Sequence, residues 1–184
     1  MTAKREQALS AAIELLGTGG LRALTHARID EQAGLPKGTT SNYFRTRAAL
    51  LAGVVEWMLE QETPAVSAAL HRPSSADEFV DEACRLIDFM TGPNRTVTAA
   101  RMVLWVEGAH DETLRQALMR GRARMADLVV PALARLGARD PDAAAQALAA
   151  CFDGLFMNRI ARHVETDARP IFETVVRGAL AQTV

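Results

Sequence analysis

Leu24-Thr25-His26-Ala27-Arg28-Ile29-Asp30-Glu31-Gln32-Ala33-Gly34-Leu35-Pro36-Lys37-Gly38-Thr39-Thr40-Ser41-Asn42-Tyr43-Phe44 decides the fold, because it predicts two short helices joined by a tight turn. Thr25 suits the N-cap of the first, its hydroxyl accepting from a backbone N–H of the opening turn. Ile29 and Ala33, four apart, share one helical face. Gly34 stands where a left-handed residue closes that helix, a conformation glycine adopts at little cost. Leu35 supplies a buried turn residue, and Pro36 suits the start of a new helix. The second helix, about Pro36 to Phe44, is nearly all small or polar: Lys37, Gly38, Thr39, Thr40, Ser41 and Asn42. Such a helix serves a core badly. It suits a DNA major groove, where hydroxyls, an amide and a cation meet base edges and phosphates. A solvated corner of an all-α protein has the same composition, so both readings stay open on these residues alone.

Upstream, Ala8, Ala11, Ala12, Leu15 and Leu16 follow the spacing of an amphipathic helix. The cluster Gly17-Thr18-Gly19-Gly20 is expected to end it. Three helices of these lengths make a small head. Its expected core is Ala12, Leu15, Leu16, Leu24, Ile29, Ala33, Leu35, Phe44 and Leu50.

Around this stretch the chain resembles the TetR family of one-component transcription regulators. Their N-terminal pattern runs Ala-Ala-x-x-Leu, a Gly, Leu-Thr, Ile-Ala-x-x-Ala-Gly-Val-Ser-Lys-Gly-Thr, an aromatic pair, Phe, then Ser-Lys-Glu-x-Leu. The matches are Ala11-Ala12, Leu15, Gly20, Leu24-Thr25, Ile29, Ala33-Gly34-Leu35, Lys37-Gly38-Thr39, Tyr43-Phe44 and Leu50, with the spacing intact. The resemblance implies an all-α fold of about nine helices. Residues 1–47 would form the helix-turn-helix DNA-binding domain, and residues 48–184 a helical effector-binding and dimerisation domain. It also implies that Lys37, Thr39, Thr40 and Asn42 face base edges or the adjacent backbone. Thr25, Arg28, Tyr43 and Arg47 would meet phosphate, and Gly38 would let the helix start approach the DNA. Three departures stand out. Asp30 replaces the usual Ala, Thr40-Ser41 the usual bulky apolar-aromatic pair, and Arg47-Ala48 the common Lys-Glu.

The 184-residue length suits one compact unit or two packed halves. The 49% apolar content is ordinary for a globular protein, and no apolar run reaches the ~18–20 residues that span a bilayer. The start, Met1-Thr2-Ala3-Lys4-Arg5-Glu6, lacks a signal peptide's apolar stretch, so a cytoplasmic location without membrane attachment is expected. Cys84 and Cys151 are expected to be reduced core thiols. The four histidines are scattered, without metal-ligand spacing. The net charge of −1 hides an asymmetry: residues 1–47 carry seven Lys or Arg against four acids. A basic head on a mildly acidic body suits phosphate contact by the head alone.

A long helix is expected from the Thr46 N-cap, stopping or bending at Pro64, and residues 71–75 read as a loop. Further helices follow, one capped by Ser75 or Asp77, another by Asp111 with a bend at Pro131. The last two run from Ala143 to about Glu165 and from Pro170 to about Ala181. As in the family, the body is expected to hold a small, largely apolar effector. Candidate walls are Trp57, Met58, Phe79, Cys84, Phe89, Met90, Met102, Trp105, Val106, Phe152 and Phe156. Asp88, Arg101, Glu107 or Asn158 would orient the ligand. Each of these apolar residues also reads as plain core. Dimerisation is expected through an apolar stripe of Ala145, Leu148, Ala149, Phe152 and Phe156, and another of Ile171, Val175, Ala179 and Leu180. Both stripes alternatively face the protomer's own core. A two-fold dimer would read two half-sites of a palindrome, giving a specificity that one short helix lacks.

The expected function is therefore a homodimeric repressor, bound to a palindromic double-stranded DNA operator and released by its effector, without a cofactor or metal. A helical adaptor with weak or lost DNA binding is the alternative. The chain has no nucleophile elbow, phosphate-binding loop, dinucleotide fingerprint or zinc-protease motif, so catalysis is not expected.

Overall fold

The computed structural model describes residues 2–71 and 73–181. Nine α-helices carry these described residues, with no strand among them. In chain order they are α1 Ala3–Ala23, α2 His26–Gln32, α3 Thr39–Tyr43, α4 Arg47–His71, α5 Ala76–Thr91, α6 Arg95–Gly108, α7 Glu112–Arg135, α8 Pro141–Phe156 and α9 Arg169–Leu180. The all-α expectation holds. Arg72, part of the expected loop, lies outside the described residues. No described helix is long and apolar enough to cross a membrane.

Two compact units divide the chain: Met1–Gln61 with Arg95–Gly121, and Glu62–Asn94 with Arg122–Val184. One of the three divisions falls between α5 and α6, and the other two fall inside α4 and α7. Both helices then carry a proline, Pro64 and Pro131, and both continue through it to His71 and Arg135. Of the two outcomes expected at Pro64, a stop or a bend, the stop does not occur, and α7 likewise runs on through Pro131, the expected site of a bend, although each proline withholds one N–H from the helical ladder.

In the first unit α1 packs most extensively on α6. Gly17 permits this approach. A Cβ there would overlap the Thr96 carbonyl oxygen and lie 2.6 Å from Thr96 Cγ2. Helix α1 passes through Gly17 and Gly19, and only Gly20 leaves helical geometry, at φ 65° and ψ −168°. The break expected at the glycine cluster therefore falls on its last residue, Gly20, after which helical turn resumes to Ala23. The core holds Ala12, Leu15, Leu16, Leu24, Ile29, Phe44 and Leu50, while Ala33 and Leu35 are half-buried. Thr46 caps α4 by accepting from Ala49 N–H at 3.1 Å, and Asp111 caps α7 by accepting from Leu114 N–H at 2.9 Å.

In the second unit α5 and α8 both pack on α9. Phe172 is fully buried, its ring 4.9 Å from that of Phe152. Ser75 caps α5, accepting from Glu78 N–H. Asp140 caps α8, accepting from Ala143 N–H. After Phe156 the backbone widens into a five-residue turn, Met157–Ala161, in which Arg162 N–H reaches Met157 C=O. The expected helix to Glu165 therefore ends early. Arg159 on this turn donates to Asp88 at 2.7 Å, to Thr91 Oγ1 at 3.2 Å and to the Thr166 carbonyl at 2.8 Å, tying the turn to α5.

Candidate functional site

Helix α2 starts as its sequence demands: the Thr25 hydroxyl accepts from Arg28 N–H at 3.3 Å. It ends in a Schellman closure. Leu35 N–H reaches Asp30 C=O at 2.8 Å, Gly34 N–H reaches Glu31 C=O at 3.2 Å, and Gly34 sits at φ 63°. The second helix is shorter than expected, Thr39–Tyr43, because Gly38 takes φ 89° and ends the preceding turn. A Cβ at Gly38 would meet nothing nearer than Ser41 Oγ at 3.9 Å, so its backbone angle, and not crowding within the chain, calls for glycine.

The start of α3 is held by a residue of α2. Asp30, 3% exposed, accepts from Gly38 N–H at 2.7 Å, from Thr40 N–H at 2.8 Å and from the Thr40 hydroxyl at 2.6 Å. Burial alone would push its carboxyl up. The Thr40 hydroxyl and the amides of Thr40, Gly38 and Thr39 outweigh that and hold it below its ordinary value. A depressed carboxyl pKa gives stability that is present above the unfolded value and is lost as pH falls through the folded one. In thermal melts between about pH 7 and pH 3, Asp30→Asn is expected to melt below wild type at neutral pH. The gap should narrow below the ordinary Asp range of about 4. A constant gap would show that the carboxylate charge is immaterial.

The candidate DNA residues are not all placed as expected. Arg28, Lys37 and Asn42 are exposed, as is Thr25, whose hydroxyl is already the α2 cap; Gly38 and Thr39 are half-buried. Thr40 is the correction: it is fully buried against Asp30, so it cannot face a base edge. Tyr43 is 39% exposed, and its OH accepts from the Thr2 hydroxyl at 2.9 Å. Arg47 is exposed, yet donates to the carbonyls of Leu21 at 3.0 Å and Leu24 at 3.5 Å. It pins the end of α1 to the start of α4 besides offering charge. Phe44 is core, its ring lying on Gly53 of α4 with the Arg5 guanidinium 5.4 Å from the ring centre. Asp30 was missed as a site residue; its replacement of the usual Ala beside a turn was the available signal.

The body candidates scatter. In the first unit Met58 is buried, Trp57, Met102 and Trp105 are half-buried, and Val106 is 70% exposed. In the second, Phe79 and Phe156 are core, Phe152 is half-buried, and Phe89 is 53% exposed. Val106 and Phe89 are thus surface side chains and not walls. Two cavities lie within the second unit. One, about 160 Å³, is lined by Ser67, Leu70, His71, Asp127, Leu128, Pro131 and Arg135. The other, about 260 Å³, is lined by Cys84, Asp88, Arg159, Asp167, Ala168 and Arg169. Both fall below the ~300–1,000 Å³ of drug-sized sites. Burial pushes the Cys84 and Cys151 thiols up, away from reactive thiolate.

The dimer candidates divide by burial. Ala145, Leu148 and Phe156 are buried in their own protomer, a correction to the expected interface. Ala149, Phe152, Ile171, Val175, Ala179 and Leu180 are half-buried. The exposed face of α8 instead carries Ala143, Ala147, Ala150 and Gly154, at helical spacing, followed by Met157.

Residues 8–54 match the family description "Bacterial regulatory proteins, tetR family", and residues 74–182 match "Tetracyclin repressor-like, C-terminal domain". The chain is 26% identical over 182 residues to the HTH-type transcriptional regulator BetI of Escherichia coli, covering 97% of this chain and 93% of that protein. A transcriptional regulator from Rhodococcus sp., RHA1_ro04179, superposes with a TM-score of 0.82 at 15% identity, covering 99% of this chain and all of that one. The multidrug binding protein EbrR, complexed with ethidium, superposes with a TM-score of 0.75 at 24% identity, over 95% and 97% of the two chains.

Proposed function

Since the chain belongs to the TetR family of transcription regulators, and is not an enzyme, we propose that it is a homodimeric repressor released from a palindromic operator by a small, largely apolar effector. The observation that carries this reading is the helix-turn-helix with Arg28, Lys37 and Asn42 turned to solvent beside a reading helix that has little apolar surface. The boundary near residue 47 remains part of the proposal: residues 1–47 bind DNA, and residues 48–184 bind the effector and the second protomer. The regulator acts in the cytoplasm.

The small exposed residues of α8, Ala143, Ala147, Ala150 and Gly154, support dimerisation, since they allow a second copy's helix to approach closely. Half-buried Ile171, Val175 and Ala179 of α9 extend the same apolar interface. An apolar effector is supported by the ethidium complex of EbrR. Coupling is reciprocal: an effector that weakens operator binding a hundredfold binds the operator complex about a hundredfold less well, about 2.7 kcal/mol.

Selection of random-sequence duplexes by the purified protein tests the reading. Enrichment of a palindrome bound by one dimer is the expected result; sequence-blind binding would favour an adaptor. On the selected duplex, Asn42→Ala is expected to change sequence preference by about 1–3 kcal/mol per lost base contact. Arg47→Ala is expected to weaken all sequences alike and flatten the salt dependence. Reversed behaviour of the two variants would overturn their assignments.

A further inference from the structure

We propose that Asp30 is a positioning residue for DNA reading: from α2 it fixes the start and the rotation of α3, and so decides which side chains meet the bases. Helix α3 has no cap of its own. Gly38, at its N-cap, lacks a side chain, Pro36 carries no acceptor on its ring, and the Thr39 hydroxyl donates back to the Pro36 carbonyl at 2.6 Å. Two of the amides at this start, Gly38 N–H and Thr40 N–H, both end on Asp30, at 2.7 and 2.8 Å. The Thr40 hydroxyl joins them at 2.6 Å, which locks the helix about its axis as well as along it. With Thr40 turned fully inward, Asn42 lies about 200° further round a helix of 3.6 residues per turn and is directed outward, in agreement with its exposure. The carboxylate is 3% exposed, so it orders the helix without presenting its charge to phosphate.

This inference rests on the proposal that α3 reads operator DNA. The test uses the full-length protein, the duplex that wild type enriches and a scrambled duplex of equal length, at a temperature where circular dichroism shows each variant folded. Asp30→Asn keeps the shape, but its amide can no longer accept from all three donors. Its affinity for the enriched duplex is expected to fall roughly 10- to 100-fold, as for lost hydrogen bonds to a charged group. The ratio of enriched to scrambled binding should fall with it. Thr40→Val, which removes the hydroxyl alone, is expected to lose roughly 3- to 10-fold. A contact that merely stabilised the fold would lower the melting temperature and leave that ratio unchanged. A folded Asp30→Asn with wild-type affinity and ratio overturns the proposal. So does an unfolded Asp30→Asn alongside a Thr40→Val that binds like wild type. A wild-type protein that enriches no duplex overturns the DNA reading itself, and the role of Asp30 falls with it.

Discussion

Phe172→Ala is expected to lower the stability of the second unit by about 3–5 kcal/mol, the usual loss for a fully buried phenylalanine. The ring is 0% exposed and stacks obliquely on Phe152, and its helix is the one on which α5 and α8 both pack. No smaller side chain there fills the space without a cavity. Urea denaturation provides the check. Both tryptophans, Trp57 and Trp105, belong to the first unit, so their fluorescence reports on it while circular dichroism reports on all the helices. If the units unfold separately, the variant's dichroism transition should move to lower urea ahead of its fluorescence transition. Coincident shifts would mean that the units unfold together. A loss below about 1 kcal/mol would contradict the packing described.

Gly17→Ala is the second large effect, expected to cost about 1–3 kcal/mol. Alanine ordinarily stabilises a helix interior relative to glycine by up to about 1 kcal/mol, so the sign itself is diagnostic. Here the added methyl overlaps the carbonyl oxygen of Thr96. A backbone oxygen in the first turn of α6 cannot rotate aside as a side chain would, so α1 and α6 must separate. Thermal unfolding of the variant measures the result; a raised melting temperature would show that the two helices relax apart at no cost.

The parts of this molecule legible in its sequence are those set by neighbours along the chain. The caps Thr25, Thr46, Ser75 and Asp111 act across one helical turn, and the Gly34 closure across one loop. Helical spacing identified Ala8, Ala11, Ala12, Leu15 and Leu16 as buried in α1 but passed over Leu9 and Ile13, and of the head core it named, Ala33 and Leu35 are only half-buried. What escaped depends on partners distant in sequence. The inward turn of Thr40 follows from Asp30, ten residues earlier, and the close packing at Gly17 involves Thr96, far along the chain. The rotation of α8 escaped for another reason. In so alanine-rich a helix the larger apolar residues Leu148 and Phe156 go to the protomer's own core. The alanines left outside are equally apolar, so hydropathy does not tell the two faces apart.

The capping of α3 from α2 bears on engineering. A reading helix that ended on its own cap would be a portable cassette, exchangeable between regulators to redirect them to new operators. Here the segment 36–44 is incomplete by itself, since the oxygen atoms that close its first turn belong to Asp30. A chimera that grafts it onto a head with alanine at that position should inherit its letters without its grammar, and transplanting 25–44 as one block is the smaller edit that preserves both.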